Sequence, residues 1–114
     1  MIKDDLIYVE HMLLYADRIA QKMRGMARDD FERDPDLKDL IVYRLQVIGE
    51  AARHISEEFQ IRHPRIDWSD IIGMRHRLVH GYLDIDYDVV WDTVAIDLPR
   101  LIAELEGIVT RKEG

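Results

Sequence analysis

The stretch Arg75-His76-Arg77-Leu78-Val79-His80-Gly81-Tyr82 gathers guanidinium, imidazole and phenol groups within eight residues. At about 100° per residue, a helix through this region puts Trp68, Ile71, Ile72, Leu78 and Val79 on one face with Arg75 in its middle. An unpaired guanidinium on a packing face is costly, so Arg75 is expected to meet a carboxylate, line a water-filled cleft or bind an anionic ligand. On a regular helix His80 stands about 140° from Arg75. A site shared by the two therefore requires the helix to unwind at Gly81, or a second subunit to supply one of them. Imidazole is the side chain that trades protons near neutrality. Beside a fixed cation it supplies what cleavage of RNA by its own 2′-hydroxyl needs: proton movement, and stabilisation of the charged phosphorane. That chemistry uses no metal and no cofactor.

Other readings of the same residues stay open at this point. Arg75 could form a structural ion pair. His76 and His80, four apart on one helical face, could chelate zinc. Against that, the intervening Arg77-Leu78-Val79 lacks a metalloprotease glutamate, no third ligand is evident, and the adjacent arginines repel a cation. His76 by itself reads as solvated or substrate-facing. Tyr82 by itself reads as a packing aromatic with a polar tip.

Composition narrows the class. The absence of cysteine excludes disulfides, thiolate nucleophiles and thiolate metal sites. A net charge of −7 argues against a protein that coats nucleic acid, because such binding is dominated by Lys and Arg on phosphates. The charge is uneven: Arg62 to Tyr82 holds four arginines and three histidines against two aspartates, which suits a focused anionic substrate. At 114 residues the chain is expected to form one helical domain over 1–114. No apolar run approaches the roughly 20 residues of a membrane span. Met1-Ile2-Lys3-Asp4-Asp5 is acidic where an export signal is basic, so a cytoplasmic protein is expected.

Four main helices must position these groups, and the spacing predicts an all-α, up-down bundle. Ile2, Leu6, Val9, Leu13, Ala16, Ala20 and Met23 form one stripe of the first. Asp34-Pro35 starts the second, with Leu37, Ile41, Leu45, Ile48, Ala52, Ile55 and Phe59 as its stripe and His63-Pro64 as its end. Leu40, Val42, Val47 and Ala51 widen that stripe beyond one neighbouring helix, which calls for a second contact surface such as a dimer interface. Asp67 caps a short third helix that Gly81 should end in a left-handed turn. The fourth begins near Asp86 and carries Val90, Val94, Leu98, Leu101, Leu105 and Ile108, with a bend expected at Pro99 and a frayed tail at 111–114.

Arg75-x-x-x-x-His80-x-Tyr82 resembles the Arg, four residues, His, one residue, Tyr motif of HepT-like toxins of the HEPN superfamily. The resemblance extends through Ile48-Gly49-Glu50-Ala51-Ala52, Ile71-Ile72-Gly73-Met74-Arg75 and Val90-Trp91-Asp92-Thr93-Val94, covering about Asp34 to Leu105. It implies an HEPN-like bundle acting as a homodimer. It further implies metal-independent RNA cleavage by Arg75 and His80, within a type VII-like toxin–antitoxin pair. A partner nucleotidyltransferase antitoxin of the MNT type would modify Tyr82 with AMP from ATP. His76 stands where many relatives have asparagine, which leaves open whether it joins proton transfer. Arg77 and Glu50 are possible supporting residues; Glu50 lies opposite the core stripe, where it lines the site or an interface or is only solvated. The rival readings are a non-catalytic module that holds a nucleotidyltransferase, and the antitoxin itself.

Overall fold

The computed structural model describes residues 2–81 and 84–113. It comprises α1 (Ile2–Met23), α2 (Arg28–Glu32), α3 (Pro35–Arg53), α4 (Glu57–Arg62), α5 (Trp68–Ile72), α6 (Met74–Leu78), α7 (Tyr87–Asp92), a π-helical turn (Thr93–Asp97) and α8 (Leu98–Glu113). Among the described residues no strand occurs, only one bridge between Val79 and Ile85, so the fold is all-α as expected. Arg44 of α3 reaches the carbonyl of Arg18, and Asp5 reaches Ser56, so α1 and α3 run antiparallel. The C-terminal end of α1 faces Trp91, Val94, Leu98 and Ile102, and α8 returns along α1.

Local signals explain where several helices start. Asp34 accepts the N–H of Leu37 at 3.0 Å with Pro35 in the first turn, and Asp67 and Asp86 accept the N–H of Asp70 and Val89 at 3.3 and 3.1 Å. Each removes an orphan donor of a helix N-terminus. The first stripe is rotated from the expected one. Val9, Met12, Ala16 and Ile19 are fully buried, whereas Leu6, Leu13 and Ala20 are half-buried. The side chain of Ile2 lies outside the described residues.

The expected second helix is two helices. Ile55 and Phe59 remain buried across the break, so the apolar period reads straight through it. The break is set by Ser56, whose hydroxyl caps the N–H of Phe59 at 3.1 Å. The N–H and hydroxyl of Ser56 in turn donate to the buried carboxylate of Asp5 at 2.8 and 2.7 Å. Asp5→Ala leaves both donors without an acceptor and is expected to cost about 2 kcal/mol. Urea unfolding measures this, and Asp5→Asn, which keeps one acceptor oxygen, should lose less.

Most of the wide apolar surface of α3 is used inside the chain, while Leu40 and Val47 stay half-buried. Leu37, Ile41, Val42, Leu45, Ile48, Ala51 and Ala52 are all buried, with α1 against one flank and α5, α6 and α7 against the other. The second contact surface that the stripe's width calls for is thus supplied largely within the chain. The short α2, unanticipated from the sequence, buries Phe31 beside Trp91 at 5.6 Å between ring centres. A π turn ends two residues before Pro99, consistent with the N–H that proline lacks. α8 extends through Glu113.

Candidate active site

The third expected helix is interrupted at Gly73, whose N–H closes α5 on the carbonyl of Ser69 at 3.0 Å. α6 then starts afresh and turns Met74 and Leu78 inward, so the buried face runs through Ile71, Met74 and Leu78. This corrects the expected placement of Arg75. It lies past the edge of the packing face, exposed, with Nη1 donating to Oε1 of Gln46 on α3 at 3.3 Å. Arg62, Arg65 and Arg77 each face a carboxylate: Glu58 at 2.8 Å, Glu104 at 3.9 Å and Asp97 at 3.6 Å. Among the described residues Arg75 meets only an amide. Its charge is uncompensated.

The segment after α6 differs from the helix end that was expected. The helix stops at Leu78, and Val79 is extended at φ −118°, ψ 116° and bridges Ile85. His80 donates its N–H to the carbonyl of Asp84, and Asp86 donates its N–H to the carbonyl of Leu78, both at 2.8 Å. Gly81 is not in the left-handed region. His76 and His80 therefore share no helical face, which removes the chelating pair. Neighbouring side chains in extended backbone point to opposite sides. Val79 faces the groove beside Arg75, and the imidazole of His80 faces Asp86, with Nε2 at 3.5 Å from Oδ2.

That groove, of about 500 Å³, is lined by Arg53, Ile72, Gly73, Arg75, His76, Val79 and Gly81. It unites Arg75 with His76 and adds Arg53, which sequence reasoning missed. His80 stands beside it, between two lining residues. Glu50 is exposed and reaches the rim through Arg53, its ion-pair partner at 3.4 Å. Gln46, Glu50 and Arg53 are spaced 4 and 3 along α3, and this polar stripe was the signal available in the sequence. Arg77 goes elsewhere, into a second cleft of about 320 Å³ floored by Leu45, Ile48 and Ile71. Tyr82 lies outside the described residues.

The basic run from 62 to 82 is thus divided. Arg62, His63 and Arg65 gather with Arg111 and Glu104 around a third depression. There burial, then the charges of Arg111 and Arg62, lower the pKa of His63 against the opposing pull of Glu104, and its ring lies 4.3 Å from that of Phe59. These causes favour the neutral form of His63, which lines a different depression from Arg75.

Comparison with known proteins agrees with the all-α architecture. Residues 12–108 match the family described as ribonuclease HepT-like. A candidate RNase of Caldanaerobacter subterraneus subsp. tengcongensis is 31% identical over 93% of this chain and 95% of its own length. A candidate RNase of Methanocaldococcus jannaschii is 31% identical over 98% of this chain and 93% of its own. The "Probable ribonuclease HepT" of Thermococcus cleftensis is 32% identical over 89% of this chain and 92% of its own. No solved structure matches the chain. With near-complete coverage on both sides, and a family match that includes α3 and the whole Arg75–His80 segment, this chain belongs to the HepT-like ribonuclease family.

Proposed function

We propose that this chain is the ribonuclease toxin of a toxin–antitoxin pair, cleaving RNA at a site built from Arg75 and His80. The observation that carries the reading is the uncompensated guanidinium of Arg75 at an open groove, in a run whose other arginines face carboxylates. The RNase names of its relatives support RNA as the anion. The 2′-oxygen attacks the adjacent phosphorus as its proton passes to the imidazole of His80. Arg75 offsets the charge of the phosphorane. The bond to the 5′-oxygen breaks, and that oxygen leaves with a proton returned by the imidazole. His76 and Arg53 hold the flanking backbone.

The single chain supports a two-chain site. Arg75 opens onto the groove while His80 points across the extended segment toward Asp86, so a second copy related by a two-fold axis supplies the missing partner group. The family resemblance implies the regulation: AMP added to Tyr82 by a nucleotidyltransferase antitoxin, using ATP, would put a bulky anion two residues from His80 and repel RNA.

The test is cleavage of a defined RNA by the purified protein in excess chelator. Expected products carry a 2′,3′-cyclic phosphate and a 5′-hydroxyl, at a rate unaffected by the chelator. Loss of cleavage in chelator, or products with 5′-phosphate ends, would sink the metal-free mechanism. No cleavage under either condition would instead favour a module that only holds the transferase. Mass spectrometry of protein made with its partner and ATP should place AMP on Tyr82.

A further inference from the structure

We propose that Asp86 is a positioning residue for His80, fixing the neutral imidazole with its proton on Nε2 so that Nδ1 is the atom that exchanges a proton with substrate. The proposal rests on His80 as the proton-moving group.

Asp86 is the joint between α6 and α7, and each of its polar atoms has a separate task. Its N–H donates to the carbonyl of Leu78, the last residue of α6, at 2.8 Å. Oδ1 accepts the N–H of Val89 at 3.1 Å and caps α7. Oδ2 is left over, and it is this oxygen that lies 3.5 Å from Nε2 of His80. The carboxylate cannot swing away without uncapping a helix, so the imidazole faces an acceptor held in place from both sides. The histidine is held as firmly. The Val79–Ile85 bridge and the bond from its own N–H to Asp84 fix its backbone opposite Asp86.

A carboxylate only accepts hydrogen bonds, so the nitrogen facing it carries the hydrogen, and in a neutral ring the other nitrogen then carries the lone pair. The His80 side chain is 50% exposed, and with Nε2 turned to Asp86 the nitrogen left for a 2′-hydroxyl is Nδ1. Asp84, the other acid of this loop, is exposed and offers His80 a backbone carbonyl. It therefore serves as a control for loss of one negative charge nearby.

Imidazole nitrogen NMR of the full chain, above the titration range of its histidines, reads the tautomer directly, with His80→Ala identifying the resonance. The expected result is Nε2–H in wild type and in Asp84→Asn. In Asp86→Asn the signal moves toward Nδ1–H, because the amide still caps α7 and can turn its donor toward the ring. Cleavage should fall about 10- to 100-fold in Asp86→Asn, and comparably in Asp86→Ser, which keeps a capping hydroxyl without a carboxylate. Asp84→Asn should cleave like wild type. A wild-type ring protonated on Nδ1, an unchanged spectrum in Asp86→Asn, or undiminished cleavage by both Asp86 variants overturns the proposal. Full activity of His80→Ala would overturn the underlying reading instead, whatever the spectra show.

Discussion

Replacing Arg75 or His80 by alanine is expected to lower RNA cleavage about 10³-fold, while the thermal midpoint stays within a degree or two of wild type. Both side chains are exposed, so truncation empties no cavity and orphans no buried partner; the stability change should lie within about 0.5 kcal/mol. The chemistry is the sensitive quantity. On the proposed mechanism, without His80 no group takes the proton from the 2′-oxygen, and without Arg75 the phosphorane keeps its charge in water. The same two proteins decide where the site is assembled. Mixed after unfolding and refolded together, they form some pairs in which one copy retains Arg75 and the other His80. If the site spans two copies, the mixture recovers about a quarter of wild-type activity, since half of the pairs then hold one intact site of two. If both groups act from one chain, nothing is recovered. Sedimentation at micromolar concentration should show the dimer that the first outcome requires.

Gly49→Val is expected to destabilise the fold by about 3 kcal/mol, toward the upper end for overpacking. The backbone of α3 comes so close to α5 that a Cβ at position 49 would stand 2.7 Å from the carbonyl oxygen of Ile71 and 3.1 Å from Cβ of Met74. Neither neighbour is the free end of a flexible side chain. The substitution must push α5 and α6 off α3, and with them Arg75, whose contact to Gln46 spans the same two layers. Unfolding by urea should report the loss, and cleavage should fall even below the transition where the protein is folded. Gly49→Ala should show a smaller effect, because part of the clash is offset by the higher helix propensity of alanine. An unchanged midpoint in Gly49→Val would mean that the two layers have room to spare.

Several elements were legible because the interactions that define them are local. The caps at Asp34 and Asp67 join a side chain to an N–H three residues on, and the helical character of α1, α3 and α8 follows from period alone, although the buried face of α1 is rotated from the expected stripe. Period misled where the chain breaks without losing its rhythm. Ile55 and Phe59 keep the spacing of α3 after the helix has ended at Arg53, and the break depends on Asp5, which arrives from the other end of the chain. Met74 falls off the buried face of a single continuous helix for a related reason: Gly73 ends α5 and resets the period.

By itself, the sequence determined that Arg75, His76 and His80 occur together in a helical protein, with a further helix starting near Asp86. Residue types and short-range hydrogen bonds suffice for that. Only the tertiary structure decided that Arg75 opens onto a groove with Arg53 and His76, that Arg77 turns into another cleft, and that His80 looks toward Asp86. Those directions depend on the interruption at Gly73, the close approach at Gly49 and the bridge from Val79 to Ile85. The last two join residues apart in the chain, and a helical period carries no record of the contacts that stop it.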